Sequence, residues 1–229
     1  MTGRDGAAVD ALIPAYDAAR WVGDVVARTA PLVRRVLVVD DGSSDATGEA
    51  ARGAGAEVLA HDVNQGKGAA LRTGFSHLFS AGAAAVVTLD ADGQHLPEQI
   101  SGLVAAWNDG ADLAIGDRSH LFAGMSRVRR ISNTLSSRAI AAAAGLDLAD
   151  VQSGFRLYTR ALIEATGFPE ARFDAESAVV VRAARRGFRV VAVPISLAVT
   201  DGRSTSHYRA LVDSLRIARS VIRARFERQ

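Results

Sequence analysis

The chain alternates short apolar runs with longer stretches whose apolar positions recur every three or four residues. Runs near Val9, Arg35, Glu57, Ala84 and Leu113 read as strands, and the stretches after Tyr16, Asp45, Lys67, Pro97 and Arg127 read as helices. Such alternation predicts the α/β class, a Rossmann-like, mostly parallel sheet with helices on both faces. The run Ala139 to Ala144 continues the helix that opens near Arg127, because alanine favours helix and nothing interrupts it before Gly145. Further along, Gly154 to Tyr158 reads as a short strand, Ala175 to Arg186 as a helix, and Val190 to Val193 as a strand stopped by Pro194. Near the end, Leu211, Leu215, Ala218, Ile222 and Phe226 recur at helical spacing with arginines mainly on other faces, which describes a basic amphipathic helix. Its stripe suits packing on the rest of the chain, and the same composition suits an anionic lipid surface.

Length and composition narrow this picture. With 229 residues, 48% of them apolar, the chain can bury one good α/β core. A single domain over residues 1–207 followed by the basic helix over 208–229 is the expected organisation. The absence of cysteine excludes a disulfide framework and a thiolate metal site and fits a cytoplasmic setting. Met1 to Asp10 lacks the basic-then-apolar pattern of a signal peptide, and no stretch is apolar for long enough to span a bilayer. The formal charge is only +2, yet arginines cluster at Arg127, Arg129 and Arg130 and again at Arg209, Arg216, Arg219, Arg223, Arg225 and Arg228. Without interleaved aromatics or a nucleic-acid motif, these clusters point to a phosphorylated substrate or to peripheral contact with a membrane, not to nucleic acid.

The chemistry concentrates where apolar runs end. Val86, Val87 and Leu89 stop at Asp90-Ala91-Asp92-Gly93-Gln94-His95, two carboxylates one residue apart at the carboxyl end of a strand. With the Gln94 amide they offer oxygen ligands suited to Mg²⁺ or Mn²⁺. Taken alone, this would be an ordinary Asp-Gly turn. Two further strands change the weighing: Val36 to Val39 runs into Asp40-Asp41-Gly42-Ser43-Ser44-Asp45, and Val9 to Ile13 runs into Pro14-Ala15-Tyr16. In a doubly wound sheet such ends converge on one crevice. Asp45 also suits a helix N-cap. The segment Asn64-Gln65-Gly66-Lys67-Gly68 lacks the Walker spacing and Gly53-Ala54-Gly55 lacks a third glycine, which argues against an ATPase or a dehydrogenase.

Together with Gly116-Asp117-Arg118, Ser153-Gly154-Phe155-Arg156, Phe173-Asp174-Ala175-Glu176 and Gly202-Arg203-Ser204, these pieces resemble the family-2 inverting glycosyltransferases of the GT-A fold. The likeness is greatest to the branch of dolichyl-phosphate mannose synthases and polyprenyl-phosphate glycosyltransferases. It runs in family order over nearly the whole chain. The resemblance implies a metal-dependent hexosyltransferase in which Asp90, Asp92 and Gln94 hold the cation and Pro14, Ala15, Tyr16, Asp40, Asp41, Lys67 and Ala91 line the nucleotide-sugar site. Asp41 is the carboxylate expected on the base, and Tyr16 is equally readable as a packing residue at a helix start. Arg118, Arg130 and Arg203 are candidates for phosphate, Ser153 and Ser204 for phosphate or acceptor, and His95 for a further ligand or a donor behind the ligands.

The acceptor decides what else the site needs. A polyprenyl phosphate brings its own anionic oxygen, since a phosphate monoester has a second pKa near ~6. A sugar hydroxyl would need a general base, for which Asp174 and Glu176 are the candidates, and either carboxylate also suits the start of the following helix. The expected reaction moves a mannose or glucose from a nucleotide-diphosphate sugar to a polyprenyl phosphate, with a soluble hydroxyl acceptor as the alternative. A sugar-nucleotide-binding partner without activity would have eroded carboxylates. A nucleotidyltransferase would carry a glycine-rich loop with arginine where Pro14-Ala15-Tyr16 stands.

Overall fold

The computed structural model describes residues 9–124, 127–198 and 210–227, leaving aside the side chains of 123–129, 131–132 and 210–215. Seven strands form one sheet in the order β3-β2-β1-β4-β6-β5-β7: β1 Val9–Ala15, β2 Val36–Asp40, β3 Glu57–Ala60, β4 Ala85–Thr88, β5 Leu113–Asp117, β6 Arg156–Thr159 and β7 Val190–Pro194. Among the described residues the α-helices are α1 Val22–Thr29, α2 Thr47–Gly53, α3 Lys67–Ser80, α4 Ile100–Asn108, α5 Arg127–Ala144, α6 Arg160–Thr166, α7 Asp174–Arg185 and α8 Ala210–Phe226.

Strand residues alternate faces, so each strand feeds two cores. Ala11, Ile13, Val36, Val38 and Val87 pack with Val22, Val26, Ala51, Leu103 and Trp107 of α1, α2 and α4. Leu12, Leu37, Val39 and Val86 pack on the opposite face with Leu71, Phe75, Leu162, Val179 and Ala183 of α3, α6 and α7. A third cluster joins Ile140 of α5, Ala178 and Val181 of α7, and Ile217, Val221 and Ala224 of α8. The terminal helix therefore shares a core with the main body, and its packing face differs from the predicted stripe. Ile217, Val221 and Ala224 face inward, while Ile222 and Phe226 are 60% and 78% exposed.

Strand β6 runs antiparallel to β4 and β5, while the other pairings are parallel. It also starts two residues later than the predicted Gly154. The Gly154 carbonyl accepts the Thr88 hydroxyl at 2.8 Å, which holds it in the preceding loop. Because Thr88 pairs with Arg156, the amino end of β6 lies beside the carboxyl end of β4. The segment Ser153 to Arg156 thereby reaches the ends of the parallel strands. Helix α6 was not anticipated from periodicity; its signal is Thr159, whose hydroxyl accepts the Leu162 N–H at 3.3 Å as an N-cap.

Candidate functional site at the strand ends

The register of β1 aligns Ala15 with Asp40 on one side and Leu12 with Thr88 on the other, so the loops after β1, β2 and β4 leave the sheet together. The first two are stitched. Asp17, at φ 47°, accepts the Ser44 N–H at 2.8 Å and donates its own N–H to Ser43 Oγ at 2.9 Å, while the Ala18 N–H reaches Thr47 Oγ1 at 2.7 Å. Asp45 accepts the N–H groups of Ala19 and Thr47 at 3.1 and 3.0 Å, so it acts as a clasp between the loops and at the start of α2. Pro14 and Ala15 are buried and Tyr16 half-buried at the rim.

The two aspartates ending β2 have separate surroundings. Asp41 is 3% exposed, and its carboxylate accepts the Gln65 and Gly66 N–H groups at 2.9 and 2.7 Å and meets His61 Nδ1 at 2.7 Å. It holds the 61–66 segment instead of facing an open pocket, which departs from the expected base contact. Asp40 is half-buried, with Oδ1 accepting the Ser43 N–H at 3.0 Å. Gly42 lets these segments touch. At φ +74°, it lies where a Cβ would be 2.6 Å from the Val63 carbonyl carbon, so only glycine fits without displacing backbone.

Beyond β4, Asp90 is half-buried and Asp92 Oδ1 accepts the Gln94 N–H at 3.0 Å, folding Asp90 to Gln94 into a tight turn. Ala91 is buried beneath it. His95 is 2% exposed, its ring stacked on Phe155 at 5.3 Å, and its Nδ1 accepts the Asp90 N–H at 3.2 Å. Burial lowers its pKa, partly opposed by Asp90, so a neutral ring accepts through Nδ1 and keeps its proton on Nε2. The Gln94 carbonyl accepts the Ala198 N–H at 2.9 Å, anchoring the chain that leads towards residue 203. Arg203 and Ser204 themselves lie outside the described residues.

Lys67, the first residue of α3, joins the two halves of the site. Its ammonium stands 2.6 Å from Asp90 Oδ1 and 2.8 Å from Glu176 Oε2. Burial opposes the lysine charge, but the Asp90 and Glu176 carboxylates outweigh it and hold the ammonium above the ordinary lysine range. The same contact keeps the Asp90 carboxyl well below the usual carboxylate range despite its burial. Glu176 is 6% exposed, and its Oε1 is buried without a hydrogen-bond partner. Gly154 makes the contact sterically possible, because a Cβ there would lie 2.6 Å from Lys67 Nζ and 2.8 Å from both Asp90 oxygens.

The remaining candidates occupy different places. Arg118, just after β5, is clamped by Asp150, with Nε at 2.7 Å from Oδ2 and Nη2 at 3.2 Å from Oδ1. Burial opposes the Asp150 charge, and the guanidinium prevails and lowers its pKa. Ser153 is fully buried with its hydroxyl on the Phe155 N–H at 3.3 Å, so it shapes the loop from within. Asp174 accepts the Ser220 hydroxyl at 2.6 Å and faces α8. Arg130 is exposed on α5. Sequence reasoning gave no separate role to Arg156. Its fully buried guanidinium donates to the carbonyls of Ser153, Glu176 and Val151 at 2.6, 2.6 and 2.7 Å, tying the loop before β6 to the first turn of α7. An arginine flanked by Phe155, Leu157 and Tyr158 was the signal.

The donor set fits a hard cation: two carboxylates and an amide on one turn at a strand end. Among the described residues no group of three or more His, Cys, Asp or Glu side chains forms a cage, so part of the shell would come from a ligand or water.

The glycosyl transferase family 2 model matches residues 10–167, a span that includes β1 except for its first residue, together with β2, the Asp90 turn and the loop before β6. The chain is 33% identical over 190 residues to Glycosyltransferase AglJ of Haloferax volcanii, covering 82% of this chain and 62% of that protein. It thus spans less than two thirds of that relative. It is 32% identical over 205 residues to the polyprenol monophosphomannose synthase of Mycolicibacterium smegmatis, covering 81% of this chain and 75% of that one. In fold it matches a glucosyl-3-phosphoglycerate synthase from Mycobacterium tuberculosis, crystallised with Mn²⁺, uridine diphosphate and phosphoglyceric acid, at a TM-score of 0.76 and 18% identity over 99% of this chain and 81% of that one.

Proposed function

Since the chain belongs to glycosyl transferase family 2 and has the GT-A fold, we propose that it transfers a hexose, mannose or glucose, from a nucleotide-diphosphate sugar to a polyprenyl phosphate. The observation that supports the choice of acceptor is that each candidate base already has a partner on one carboxylate oxygen. Asp174 is bonded to Ser220 and Glu176 to the Lys67 ammonium. An acceptor hydroxyl would need one of them to take its proton. A phosphate monoester needs neither, because its oxygen arrives ionised. That oxygen attacks the anomeric carbon, the bond from this carbon to the nucleotide diphosphate breaks, and the electron pair leaves with the diphosphate. Displacement from the opposite face turns an α-linked donor into a β-linked product.

Asp90, Asp92 and Gln94 would hold Mg²⁺ or Mn²⁺, which supplies Lewis-acid stabilisation of the departing diphosphate. Of the pair ending β2, Asp40 keeps the solvent access that recognition of a base requires, and Pro14, Ala15 and Tyr16 form the adjoining rim. Arg118, held by Asp150, and Arg203, which lies outside the described residues, are the candidates for phosphate oxygens. Relatives named as a polyprenol monophosphomannose synthase, an undecaprenyl-phosphate mannosyltransferase and a dolichyl-phosphate hexose transferase support the acceptor class.

The decisive experiment offers labelled GDP-mannose and UDP-glucose to the purified protein with polyprenyl phosphate or with simple sugars. A β-linked lipid product, retained in Asp174→Asn, is expected; transfer only to a sugar hydroxyl, lost in that variant, would overturn the assignment. No helix among the described residues is long and apolar enough to cross a membrane. Access to a membrane-borne lipid is assigned to the outward face of α8, where exposed Ile222 and Phe226 stand among Arg219, Arg223 and Arg225. Ile222→Ser with Phe226→Ser is expected to reduce transfer to vesicle-borne polyprenyl phosphate while sparing a short water-soluble analogue. Equal loss on both would remove α8 from that role.

A further inference from the structure

Lys67 and a divalent ion would compete for the same carboxylate. The ammonium sits 2.6 Å from Asp90 Oδ1, so a cation binding there must approach a fixed positive charge or displace it. The surroundings give the lysine somewhere to go. Glu176 already holds it at 2.8 Å through Oε2, and the second oxygen of the same carboxylate is buried with no hydrogen-bond partner. Gly154 leaves open the space beside Lys67 Nζ and the Asp90 carboxylate that a Cβ would fill. A buried charge pair is costly to break unless the separated charges find new partners. A diphosphate supplies one: it offsets the repulsion between lysine and cation and offers the ammonium oxygens of its own.

We propose that Lys67 is a resident counter-charge that keeps a bare divalent cation off Asp90, yielding the carboxylate, with Glu176 as its alternative seat, when the cation arrives together with a nucleotide diphosphate. The proposal rests on Asp90 being a cation ligand. Its consequence is strong positive coupling between cation and nucleotide, which is reciprocal for binding free energies. An apolar residue at position 67 uncouples them. Under a purely donor-binding role for Lys67, the variant would instead weaken nucleotide binding and leave the affinity for the bare ion unchanged.

The test is binding of Mn²⁺ alone, followed by the electron paramagnetic resonance of the unbound ion, in the wild type, Lys67→Met and Lys67→Arg. Lys67→Met is expected to bind bare Mn²⁺ about tenfold or more tightly than the wild type, since a charge within a few ångströms of the ion is removed. Lys67→Arg keeps the charge and stays weak. Calorimetry with UDP and GDP then reads the coupling, which should shrink in Lys67→Met. Should that variant not fold, the doubly neutral Lys67→Gln with Glu176→Gln leaves the net charge unchanged and is still expected to bind bare Mn²⁺ more tightly. Unchanged bare Mn²⁺ affinity in the folded variant overturns the proposal. Asp90→Asn separates the two failures: if nucleotide-dependent Mn²⁺ binding survives it, the ligand assignment is wrong; if it is lost while Lys67→Met changes nothing, the counter-charge alone is wrong.

Discussion

Gly154→Ala probes how closely the two halves of the site must approach. The added methyl group would lie 2.6 Å from Lys67 Nζ and 2.8 Å from each Asp90 oxygen, where ordinary contact starts at 3.4 Å. Either the side chains retreat by about 1 Å or the backbone does. The backbone is fixed on both sides: the Gly154 carbonyl holds the Thr88 hydroxyl, and Phe155 and Arg156 are fully buried. The yielding atoms are therefore the tips of Lys67 and Asp90. Moving side-chain tips is inexpensive, so the stability loss should fall near the lower end for overpacking, about 1 kcal/mol. For a chain of this size that lowers Tm by about 2–4 °C.

The effect on turnover should be out of proportion. A displacement of about 1 Å at a positioning group costs on the order of 100-fold in rate. Thermal melts paired with turnover at saturating donor would show a nearly native melting curve and a rate reduced by about two orders of magnitude. Two outcomes refute the reasoning. Turnover within a factor of about two of the wild type would mean that the Asp90 carboxylate need not sit where the structure places it. A fall in Tm beyond about 10 °C would mean that the backbone, not the side-chain tips, absorbs the clash.

Asp92→Asn should lower turnover by about 100-fold or more without altering the melting curve, and excess chelator should abolish wild-type activity; full activity in either case removes the cation from this turn. Arg156→Lys should cost about 3–5 kcal/mol, because a lysine cannot serve three carbonyls and leaves buried acceptors unpaired; chemical denaturation measures it. Asp150 titrates below its ordinary 3.8 in the folded state, so its contribution is complete above that value and is lost as pH falls through the folded pKa. Asp150→Asn should therefore flatten the acid side of the stability curve below about pH 3.8, and an unchanged acid limb would show that the Arg118 pair does not shape it.

What the sequence revealed and what it hid follow a physical division. The placement of residues along one element was legible. Asp90 and Asp92 end a buried run and Asp40 ends another, and an apolar strand cannot bury such groups without a partner. Partnerships between elements were not legible. Nothing in the spacing says that Lys67 meets Asp90 across 23 residues, or that Asp41 turns to the Gln65 and Gly66 amides while its neighbour stays at the rim. The terminal helix was identified from its period, but its face was not. Three-and-four spacing fits Leu211, Leu215, Ala218, Ile222 and Phe226, yet Ile217, Val221 and Ala224 form a second apolar row, and packing against α7 selected that one.

The antiparallel β6 links these levels. In a fully parallel sheet, only loops leaving the strands reach the carboxyl edge, and the segment entering a strand lies at the far end. Reversing β6 places an entering segment, Ser153 to Arg156, at the carboxyl edge beside Asp90. Arg156 then anchors that segment to the carbonyl of Glu176 in the first turn of α7, and Asp174 in the same turn bonds to Ser220 of α8. A continuous set of contacts thus runs from the candidate cation ligand, through Lys67 and Glu176, to the helix assigned to the lipid. Ser220 donates to Asp174 and not to Asp90, and the first turn of α7 is one route between Ser220 and Asp90 among the described residues, with Val151, packed against Ile217 and Val221 of α8, a second. Ser220→Ala would therefore alter use of the membrane-borne acceptor while leaving Mn²⁺ and nucleotide affinity unchanged if the first turn of α7 holds its place. If that turn loosens, both change together, and measuring the two binding constants alongside lipid transfer distinguishes a local support from a coupled one.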